Sequence, residues 1–346
     1  MTMPAPRPVA GPVRSATEPP EAHGTRRDGV RLLVAARWGV RHTLFRRLGE
    51  FLRPGDLVVV NTSATLPAAV DGRRGSAPVT VHFSTALEDG TWAVELRPGR
   101  RATGPLRDAD AGEVVELPAG RLSLVEPFRA DTRTDRPRLW RARVVVAGSV
   151  PTYLAAHGRP IAYDYVPDDW PLESYQTVFA REPGSAEMPS AGRPFSTRLV
   201  TDLVGAGVVM APVTLHTGVS SLEKGELPLP ERFDVPATTA RLVNATRQAG
   251  GRVVAVGTTV TRALESVAGD AGTMRGGGGW TDLVLGPDRP ARVVNGLVTG
   301  WHEPGASHLL LLEAVAGPDL VRAAYAAAHS VGYRWHEFGD SALLLP

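Results

Sequence analysis

The chain has no cysteine and no long uninterrupted apolar run among its 346 residues. The first absence excludes disulfide bonds and thiolate metal sites and agrees with a reducing compartment. The second excludes a membrane-spanning helix, which needs roughly 18 consecutive apolar residues. Met1 to Glu21 also lack the apolar core of a secretion signal, because Pro, Ala and scattered Arg fill them. We therefore predict a cytoplasmic protein with no membrane partner.

The chain also has little excess of one charge sign. The formal net charge is +2, and Lys224 is the single lysine among 38 basic residues. The overall charge therefore does not indicate nucleic-acid binding. Arginines nevertheless occur in clusters such as Arg26-Arg27, Arg46-Arg47 and Arg73-Arg74. Planar guanidinium groups suit phosphate contacts, although a solvated surface is the simpler account of any one pair.

The composition that is present is ordinary for a globular protein, with 43% hydrophobic and 21% charged residues. A chain of this length has room for two domains. Residues 1–24 are Pro-rich and aperiodic, which predicts a disordered leader. Apolar strands alternate with helical patterns in residues 25–68 and 150–346, which predicts an α/β domain with a mainly parallel sheet. Within it, the pattern from Thr43 to Leu52 predicts an amphipathic helix, and Ser196 is expected to cap another.

Residues 69–149 have a different pattern of apolar and polar residues. Short stretches of alternating apolar and polar residues, such as Val79 to Phe83 and Leu139 to Val146, are separated by Gly and Pro. Several such strands at close spacing predict a small antiparallel barrel. The predicted fold class is therefore α/β with mixed α+β character: a discontinuous α/β domain with an inserted small antiparallel β-barrel domain.

The most informative stretch runs from Val253 to Ser266. An apolar strand leads into Gly257, Thr258 and Thr259, and a helix begins directly afterwards. Glycine permits close backbone approach, and the first N–H groups of a helix have no partner inside it. The turn therefore suits a polar or anionic ligand group, although an ordinary strand-to-helix connection with a threonine cap has the same pattern.

Segments spread over nearly the whole chain after residue 25 resemble one known family in order and spacing. They are Arg27 to Val34, Leu52 to Asn61, Tyr175 to Ala180, Val213 to His216, Val254 to Thr259 with Arg262 and Leu264 to Ser266, Trp280 to Asp282, and the regions of His302 and Asp340. These segments are similar to the S-adenosylmethionine:tRNA ribosyltransferase-isomerases of queuosine biosynthesis.

The resemblance implies an enzyme that uses S-adenosylmethionine as a co-substrate and needs no metal. In that family the ribosyl carbons are transferred to the 7-aminomethyl-7-deazaguanine base at the wobble position of tRNA, and adenine and methionine are released with epoxyqueuosine. The sulfonium acidifies the neighbouring ribose C5′–H, so such a reaction requires a base, an acid for adenine and exclusion of water. The partners implied are tRNA and S-adenosylmethionine, and a monomer is favoured.

The candidate catalytic residues are His216, His302, Glu231 and Asp340. His216 ends an apolar strand, and ligand sites of α/β proteins lie at the carboxyl ends of parallel strands. His302 matches a family histidine, and Glu231 falls where the family has a carboxylate. Asp340 is expected to hold ribose hydroxyls or to orient a histidine. Each residue type also has a structural alternative, as a hydrogen-bonded histidine or a surface carboxylate.

The candidate residues for S-adenosylmethionine are Gly257, Thr258, Thr259, Arg262 and Asp282. Arg262 is expected to bind the methionine carboxylate through both guanidinium nitrogens, with an interhelical salt bridge as the alternative. For Asp282 we expect the ribose hydroxyls or a loop-capping role. The candidate acceptor-binding residues are Tyr175, Gln176 and Asn61, through stacking and base-edge contacts, with core packing as the alternative for Tyr175.

Four segments depart from the family pattern, and two of them are His216 to Leu222, where the family reads His-Val-Gly-Ala-Gly-Thr-Phe, and Gly300 to Pro304, where it reads Asn-Phe-His-Leu-Pro. In the other two, the family reads Asn-Asp-Thr-Arg where this chain has Asn61 to Ala64, and Pro-Thr-Ala-Gly-Leu-His-Phe where it has Pro189 to Phe195. Two alternatives therefore stay open from the sequence. One is a divergent enzyme with another nucleobase or small-molecule acceptor, and the other is a non-catalytic protein that binds RNA or S-adenosylmethionine.

Overall fold

The computed structural model describes residues 14–99, 104–128, 136–219, 228–303 and 308–346. The strands are β1 (Arg14–Ser15), β2 (Arg31–Ala36), β3 (Gly39–Leu44), β4 (Leu57–Asn61), β5 (Ser63–Thr65), β6 (Ala69–Arg74), β7 (Ala77–Ala86), β8 (Trp92–Arg97), β9 (Val114–Leu117), β10 (Gly120–Pro127), β11 (Leu139–Val146), β12 (Glu182–Ser185), β13 (Val209–Leu215), β14 (Glu231–Val235), β15 (Val253–Val256), β16 (Gly277–Thr281), β17 (Gly296–Thr299), β18 (Arg334–Trp335) and β19 (Ser341–Leu345). The α-helices are α1 (Val150–His157), α2 (Thr197–Gly205), α3 (Ala237–Gln248), α4 (Thr258–Ser266), α5 (His308–Ala316) and α6 (Pro318–Val331). Short 3₁₀ helices cover Pro20–His23, Arg27–Gly29, Phe45–Phe51, Leu172–Tyr175 and Ser190–Gly192.

Within these ranges, nine strands form one sheet in the order β16-β14-β13-β4-β15-β17-β19-β2-β3. The central strands β13, β4, β15 and β17 are parallel, while β14, β16 and β3 pair antiparallel with their neighbours. Strand β19 is antiparallel to β17 and parallel to β2. This arrangement confirms the predicted mixed α/β fold class, but the prediction of a mainly parallel sheet is wrong, because four of the eight strand pairings are antiparallel.

The sheet is covered on both faces, as its sequence pattern requires. Successive strand residues point to opposite faces, so Leu57 and Val59 enter one core while Val58 and Val60 enter the other. Residues of α3 to α6 pack in the first core, and residues of α2 and the 3₁₀ helix Phe45–Phe51 pack in the second. Nearly continuous Val and Leu strands are typical of a sheet buried on both faces.

Strands β6 to β11 close into a six-stranded barrel in the part of the chain that the structure describes. Neighbouring strands are antiparallel, and alternate residues such as Val81, Phe83, Val94 and Leu96 fill the interior. The predicted antiparallel barrel is therefore confirmed. The exact domain boundaries, 68/69 and 149/150, stay predictions.

Two local predictions need correction. The predicted leader of residues 1–24 is folded over residues 14–24, because β1 pairs with β18 and Ala16 is buried beside Phe338. Residues 1–13 lie outside the described residues. The predicted helix from Thr43 to Leu52 is instead the end of β3 followed by a 3₁₀ helix. Thr43 pairs with Leu32 in the sheet, so the helical turns begin only at Phe45.

Two helix boundaries follow the sequence closely. The hydroxyl of Ser196 accepts a hydrogen bond from the Leu199 N–H at 3.2 Å, which caps α2 as predicted. Helix α3 runs from Ala237 to Gln248, as its periodicity predicts. Among the described residues, no helix is long and apolar enough to cross a membrane.

Candidate functional site

The carboxyl ends of the central parallel strands meet at one edge of the sheet, which we call the carboxyl edge. Strands β4, β13, β15 and β17 bring Asn61, His216, Gly257 and Thr299 to it. The antiparallel strands contribute the residues at their other ends, namely Glu231 at the start of β14 and Asp340 just before β19. The topology therefore gathers side chains that are far apart in sequence.

The turn between β15 and α4 places the N-terminus of a helix at this edge. Gly257 has φ +95°, and a Cβ there would lie 3.2 Å from the Cβ of Ala191, so glycine is required. Within the described residues, no side chain caps the start of α4. The first N–H groups of the helix at Thr258 and Thr259 are therefore available to an anionic or polar ligand group. The ligand-binding role of this turn stays a prediction.

Asn61 is committed to the protein itself. Its amide nitrogen donates to the Leu215 carbonyl at 2.8 Å, and its amide oxygen accepts from the N–H groups of Leu215 and Ser63, each at 3.0 Å. Its amide nitrogen also donates to the Thr259 hydroxyl at 3.4 Å. Asn61 therefore joins the ends of β4 and β13, and the sequence prediction that it binds the acceptor is not supported by this geometry.

His216 lies beside Asn61 and has a built hydrogen-bond partner. Its Nδ1 is 2.7 Å from the Ser63 hydroxyl, which is itself 2.6 Å from the Ser185 hydroxyl. Gly184 leaves room for the ring, because a Cβ there would lie 2.4 Å from Nδ1. Burial lowers the pKa of His216, and Arg232 lowers it further. The imidazole is therefore neutral at neutral pH, and its Nε2 has no hydrogen-bond partner among the described residues.

Glu231 and Arg262 form a buried ion pair at the same edge. The Arg262 guanidinium bonds one Glu231 oxygen and also donates to the carbonyls of Thr281, Leu229 and Leu283 at 3.0 to 3.2 Å. Burial raises the pKa of Glu231 against the opposing effect of Arg262. Nearly all guanidinium donors are used within the protein, and the salt bridge joins α4 to strand β14 instead of to another helix as the alternative expected.

Breaking this ion pair is expected to cost stability. Arg262→Met leaves the Glu231 carboxyl buried without its partner, which we expect to lower the free energy of unfolding by roughly 3 to 5 kcal/mol. Chemical denaturation of the variant and the parent measures this difference. The matched control is Arg322→Met, which breaks the exposed Arg322–Asp319 pair and is expected to cost no more than about 1 kcal/mol. Equal losses in the two variants would contradict the structural role given to Arg262.

His302 is half-buried after β17 and stacks on His308 at the start of α5. The ring centroids are 4.7 Å apart with planes 8° from parallel. The Nε2 of His302 lies 3.1 Å from the Thr299 hydroxyl. The backbone N–H of His302 donates to the Tyr325 hydroxyl at 3.2 Å. Burial lowers the pKa of His302 well below its ordinary value and that of His308 to about 4. Two neutral, stacked imidazoles therefore border the edge, and the sequence interpretation missed His308.

Asp340 is fully engaged by backbone and side-chain donors. One oxygen accepts from the Arg31 N–H at 2.8 Å, and the other accepts from the Arg31 guanidinium at 2.6 Å and from the Arg334 N–H at 2.7 Å. These bonds fix the loop before β19 against β2, and the predicted catalytic role of Asp340 stays a prediction.

Of the three remaining predicted residues, two are engaged by the protein itself and one is exposed. Tyr175 is buried 5.1 Å from the ring of Phe338, in agreement with the core-packing alternative. The Gln176 amide bonds both backbone groups of Thr65, at 3.0 and 2.8 Å, so it supports β5. Asp282 is exposed directly after β16 and has no hydrogen-bond or ion-pair partner among the described residues. Only Asp282 of these three is available to a ligand.

A column of three rings beside the edge was missed from the sequence. Tyr165 stacks on His336 at 4.1 Å and 15° and lies 6.0 Å from Tyr163. The Tyr165 hydroxyl donates to Glu337 at 2.8 Å, and the Tyr163 hydroxyl donates to Glu187. His336 has φ +71°, which is uncommon for a residue with a side chain and marks a locally constrained backbone.

Glu337 is the unusual titrating group of this column. Burial raises its pKa to about 7, against opposing hydrogen bonds from its own backbone and from Tyr165. The charge of Glu187 raises the pKa of both Glu337 and Glu231, which brings the ring column and the carboxyl edge within electrostatic reach of each other. The close repeat Tyr163-Asp164-Tyr165 in a Pro-containing segment was the one sequence signal that could have indicated this column.

The described residues contain no group of three or more His, Asp or Glu side chains placed to share a metal ion. The reaction without a metal that the resemblance implies stays a prediction on this point.

A nine-stranded mixed sheet with a parallel centre and a polar carboxyl edge, together with a closed barrel, defines a two-part α/β protein of the class whose ligand sites commonly lie at the carboxyl ends of parallel strands. A family model described as queuosine biosynthesis protein matches residues 12–344, and the chain belongs to this family. The family resemblance seen in the sequence is confirmed.

Individual relatives agree with this assignment. The chain is 38% identical to the S-adenosylmethionine:tRNA ribosyltransferase-isomerase of Acidiphilium cryptum, over 96% of each chain. It is 36% identical to the protein of the same name from Heliobacterium modesticaldum, over 92% of this chain and 94% of that relative. Among solved structures, S-adenosylmethionine tRNA ribosyltransferase from Thermotoga maritima matches 96% of both chains, with 29% identity and a TM-score of 0.52.

Proposed function

We propose that this chain is an S-adenosylmethionine:tRNA ribosyltransferase-isomerase whose reaction takes place at the carboxyl edge. Its acceptor is the 7-aminomethyl-7-deazaguanine base at the tRNA wobble position, and its products are epoxyqueuosine in tRNA, adenine and methionine. The observation that carries the proposal is the convergence of His216, the Gly257 turn and Asp282 at one sheet edge in a chain of this family.

The Gly257 turn and Asp282 are suited to S-adenosylmethionine. We assign the methionine carboxylate to the N-terminus of α4, where the free N–H groups and the helix dipole favour an anion. Arg262 is unsuited to this role because its donors are already paired. Asp282 is assigned to the ribose hydroxyls, because an exposed carboxylate at the end of β16 accepts strong hydrogen bonds.

His216 is assigned as the base that removes the C5′ proton next to the sulfonium. A neutral imidazole is required, and burial keeps His216 neutral. If the Ser63 hydroxyl donates to Ser185, it accepts from Nδ1–H and leaves the lone pair of Nε2 facing outward. Ser63 therefore sets the tautomer and the direction of the base.

Glu337 is assigned as the acid that protonates the departing adenine. A carboxyl group with a pKa of about 7 is largely protonated at slightly acidic pH and gives up its proton readily. Its hydrogen bond to Tyr165 and the stacking of His336 hold it in place. The column rings exclude water from the same side, as a carbanion-like intermediate requires.

All groups assigned above belong to a single chain, so a monomer suffices for the proposed reaction. We propose a monomer acting in the cytoplasm, where its tRNA substrate is made. Light scattering of the purified protein measures the molar mass, and a mass twice that of the 346-residue chain would contradict the monomer.

The test is a reaction of purified protein with S-adenosylmethionine, with and without tRNA that carries the aminomethyl-deazaguanine base. We expect adenine and methionine to be released together only when this tRNA is present. The digested nucleoside is expected to increase in mass from that of the aminomethyl-deazaguanine nucleoside to that of epoxyqueuosine. Control tRNA with guanine at the wobble position is expected to give neither product. Product release with that control, or none with the modified tRNA, would contradict the proposed acceptor.

A further inference from the structure

An exposed aromatic and basic surface lies at the opposite end of the sheet from the site. Trp38, in the turn between β2 and β3, has 58% of its surface exposed. It lies next to Phe51, at the end of the 3₁₀ helix that precedes β4. We call the surface formed by Trp38, Arg41, Phe51 and Arg53 the Trp38 patch. No part of the proposed reaction uses it.

The rings of the patch are arranged as a stacking platform. The centroids of Trp38 and Phe51 are 6.4 Å apart, and their planes are 24° from parallel. The Arg41 guanidinium carbon lies 5.6 Å from the Trp38 centroid and 5.9 Å from the Phe51 centroid. A cavity of about 340 Å³ opens beside these side chains, and its lining also includes Arg53, Arg252 and the carboxylate of Glu50, which pairs with Arg47. Flat π faces with a guanidinium beside them are suited to an unpaired nucleobase.

The patch also has an excess of positive charge. Arg252 is neutralised by Asp56, and Arg47 pairs with Glu50. Arg41 and Arg53 of the patch, and Arg37 next to Trp38 in the chain, have no carboxylate partner among the described residues. Guanidinium groups without internal partners are suited to phosphates. The combination of stacking faces and free cations favours RNA over a protein partner, whose docking surface would carry fewer exposed charges.

The edge strand β3 connects the patch to the carboxyl edge. It starts at Gly39, directly after Trp38, and ends at Leu44, which pairs with Arg31. Arg31 in turn binds Asp340 at the carboxyl edge. From Gly39 to Leu44, β3 is roughly 17 Å long, at about 3.3 Å per residue. One RNA molecule that runs along β3 can therefore contact both places, since a nucleic-acid strand advances about 3 Å per base.

We propose that the Trp38 patch is a second contact for the tRNA substrate, in which an unpaired nucleotide stacks on Trp38 and Arg41 and Arg53 hold the adjacent phosphates. The proposal rests on the proposed function for the identity of the RNA. In this arrangement the patch increases the affinity for tRNA, while the chemistry stays at the carboxyl edge.

The test uses Trp38→Ala, Trp38→Phe and Arg41→Gln in the full chain. Binding of tRNA bearing the aminomethyl-deazaguanine base is measured at several KCl concentrations, together with kcat and KM. We expect Trp38→Ala to raise the Kd and KM for tRNA roughly tenfold with kcat unchanged, and Trp38→Phe to keep most of the affinity. Arg41→Gln is expected to reduce the slope of log Kd against log salt by about 0.7.

The matched control is Arg241→Gln, which removes an exposed arginine of α3 that has no carboxylate partner among the described residues. It is expected to leave Kd, KM and the salt slope unchanged. A Kd that is unaffected in Trp38→Ala and Arg41→Gln, with thermal unfolding equal to that of the parent, would overturn the proposal. Titration with AMP distinguishes a tRNA contact from a site for free nucleotides. If AMP binds at micromolar concentration and Trp38→Ala abolishes this binding, the occupant of the patch is a free nucleotide and not tRNA.

Failure of the proposed function gives a different result. A parent protein that binds the tRNA but forms no product contradicts the proposed reaction, while the dependence of the same binding on Trp38 still decides the role of the patch. If the parent does not bind tRNA at all, both proposals are overturned.

Discussion

Replacing His216 with glutamine is expected to lower kcat by a factor of about 10² to 10⁴, the usual contribution of a positioned general base. Glutamine keeps a hydrogen-bonding group near Ser63 but has no basic nitrogen, so the C5′ proton has no acceptor. The direct measurement is exchange of the C5′ hydrogen of S-adenosylmethionine in D₂O, which the parent is expected to catalyse in the presence of tRNA. We expect this exchange to disappear together with product formation.

The pH dependence gives His216 a second signature. Burial and Arg232 lower its pKa, so the neutral base persists down to a pH below 6.5 and is lost only as the pH falls further. The acid limb of kcat/KM in the parent is therefore expected below pH 6.5, and it should be absent from the residual activity of His216→Gln.

Two control variants separate catalysis from packing. Ser63→Ala keeps the imidazole but removes the partner of Nδ1, so we expect a loss of roughly tenfold, smaller than that of the base itself. His157→Gln changes an exposed histidine at the end of α1 and is expected to have parental activity. If His216→Gln keeps kcat within threefold of the parent, the assignment of the base is wrong.

Replacing Glu337 with glutamine is expected to lower kcat about 100-fold at pH 6, because the amide cannot protonate the departing adenine. Its pKa of about 7 means that the acid form predominates below pH 7 and is lost as the pH rises through that value. The alkaline limb of the parental kcat/KM profile is therefore expected near pH 7. We expect this limb to disappear in Glu337→Gln, with little change in the binding of S-adenosylmethionine.

Tyr165→Phe is the informative comparison for this prediction. The Tyr165 hydroxyl lowers the pKa of Glu337 through its hydrogen bond, so its removal is expected to raise that pKa and to move the alkaline limb to higher pH. The phenylalanine ring keeps the stack on His336. An alkaline limb that stays in place in both variants would show that another group supplies the proton.

The two assignments together account for opposite ends of the pH profile. His216 must be neutral and Glu337 must be protonated, so activity is expected in the window between the lowered histidine pKa and about pH 7. The lowered pKa and the raised pKa have the same physical cause, since burial disfavours the charged form of each group.

The sequence by itself determined the elements and their class. Alternation of apolar residues indicated the barrel strands, and the Ser196 cap and the periodicity of Ala237 to Gln248 located two helices. These signals are local, because hydrophobic period and capping depend on residues three or four positions apart. The rule that ligands bind at carboxyl ends of parallel strands then brought His216 and the Gly257 turn to one edge before any contact was known.

Only the tertiary structure decided which polar side chains are available to a ligand. Asn61, Gln176, Arg262 and Asp340 have suitable chemistry, but their donors and acceptors are taken up by partners such as Leu215, which is 154 positions from Asn61. Conversely, Tyr165 meets Glu337 across 172 positions, and their hydrogen bond together with burial sets the acidity of the carboxyl group. Hydrogen-bond satisfaction and desolvation depend on long-range packing, so no local pattern could have specified them.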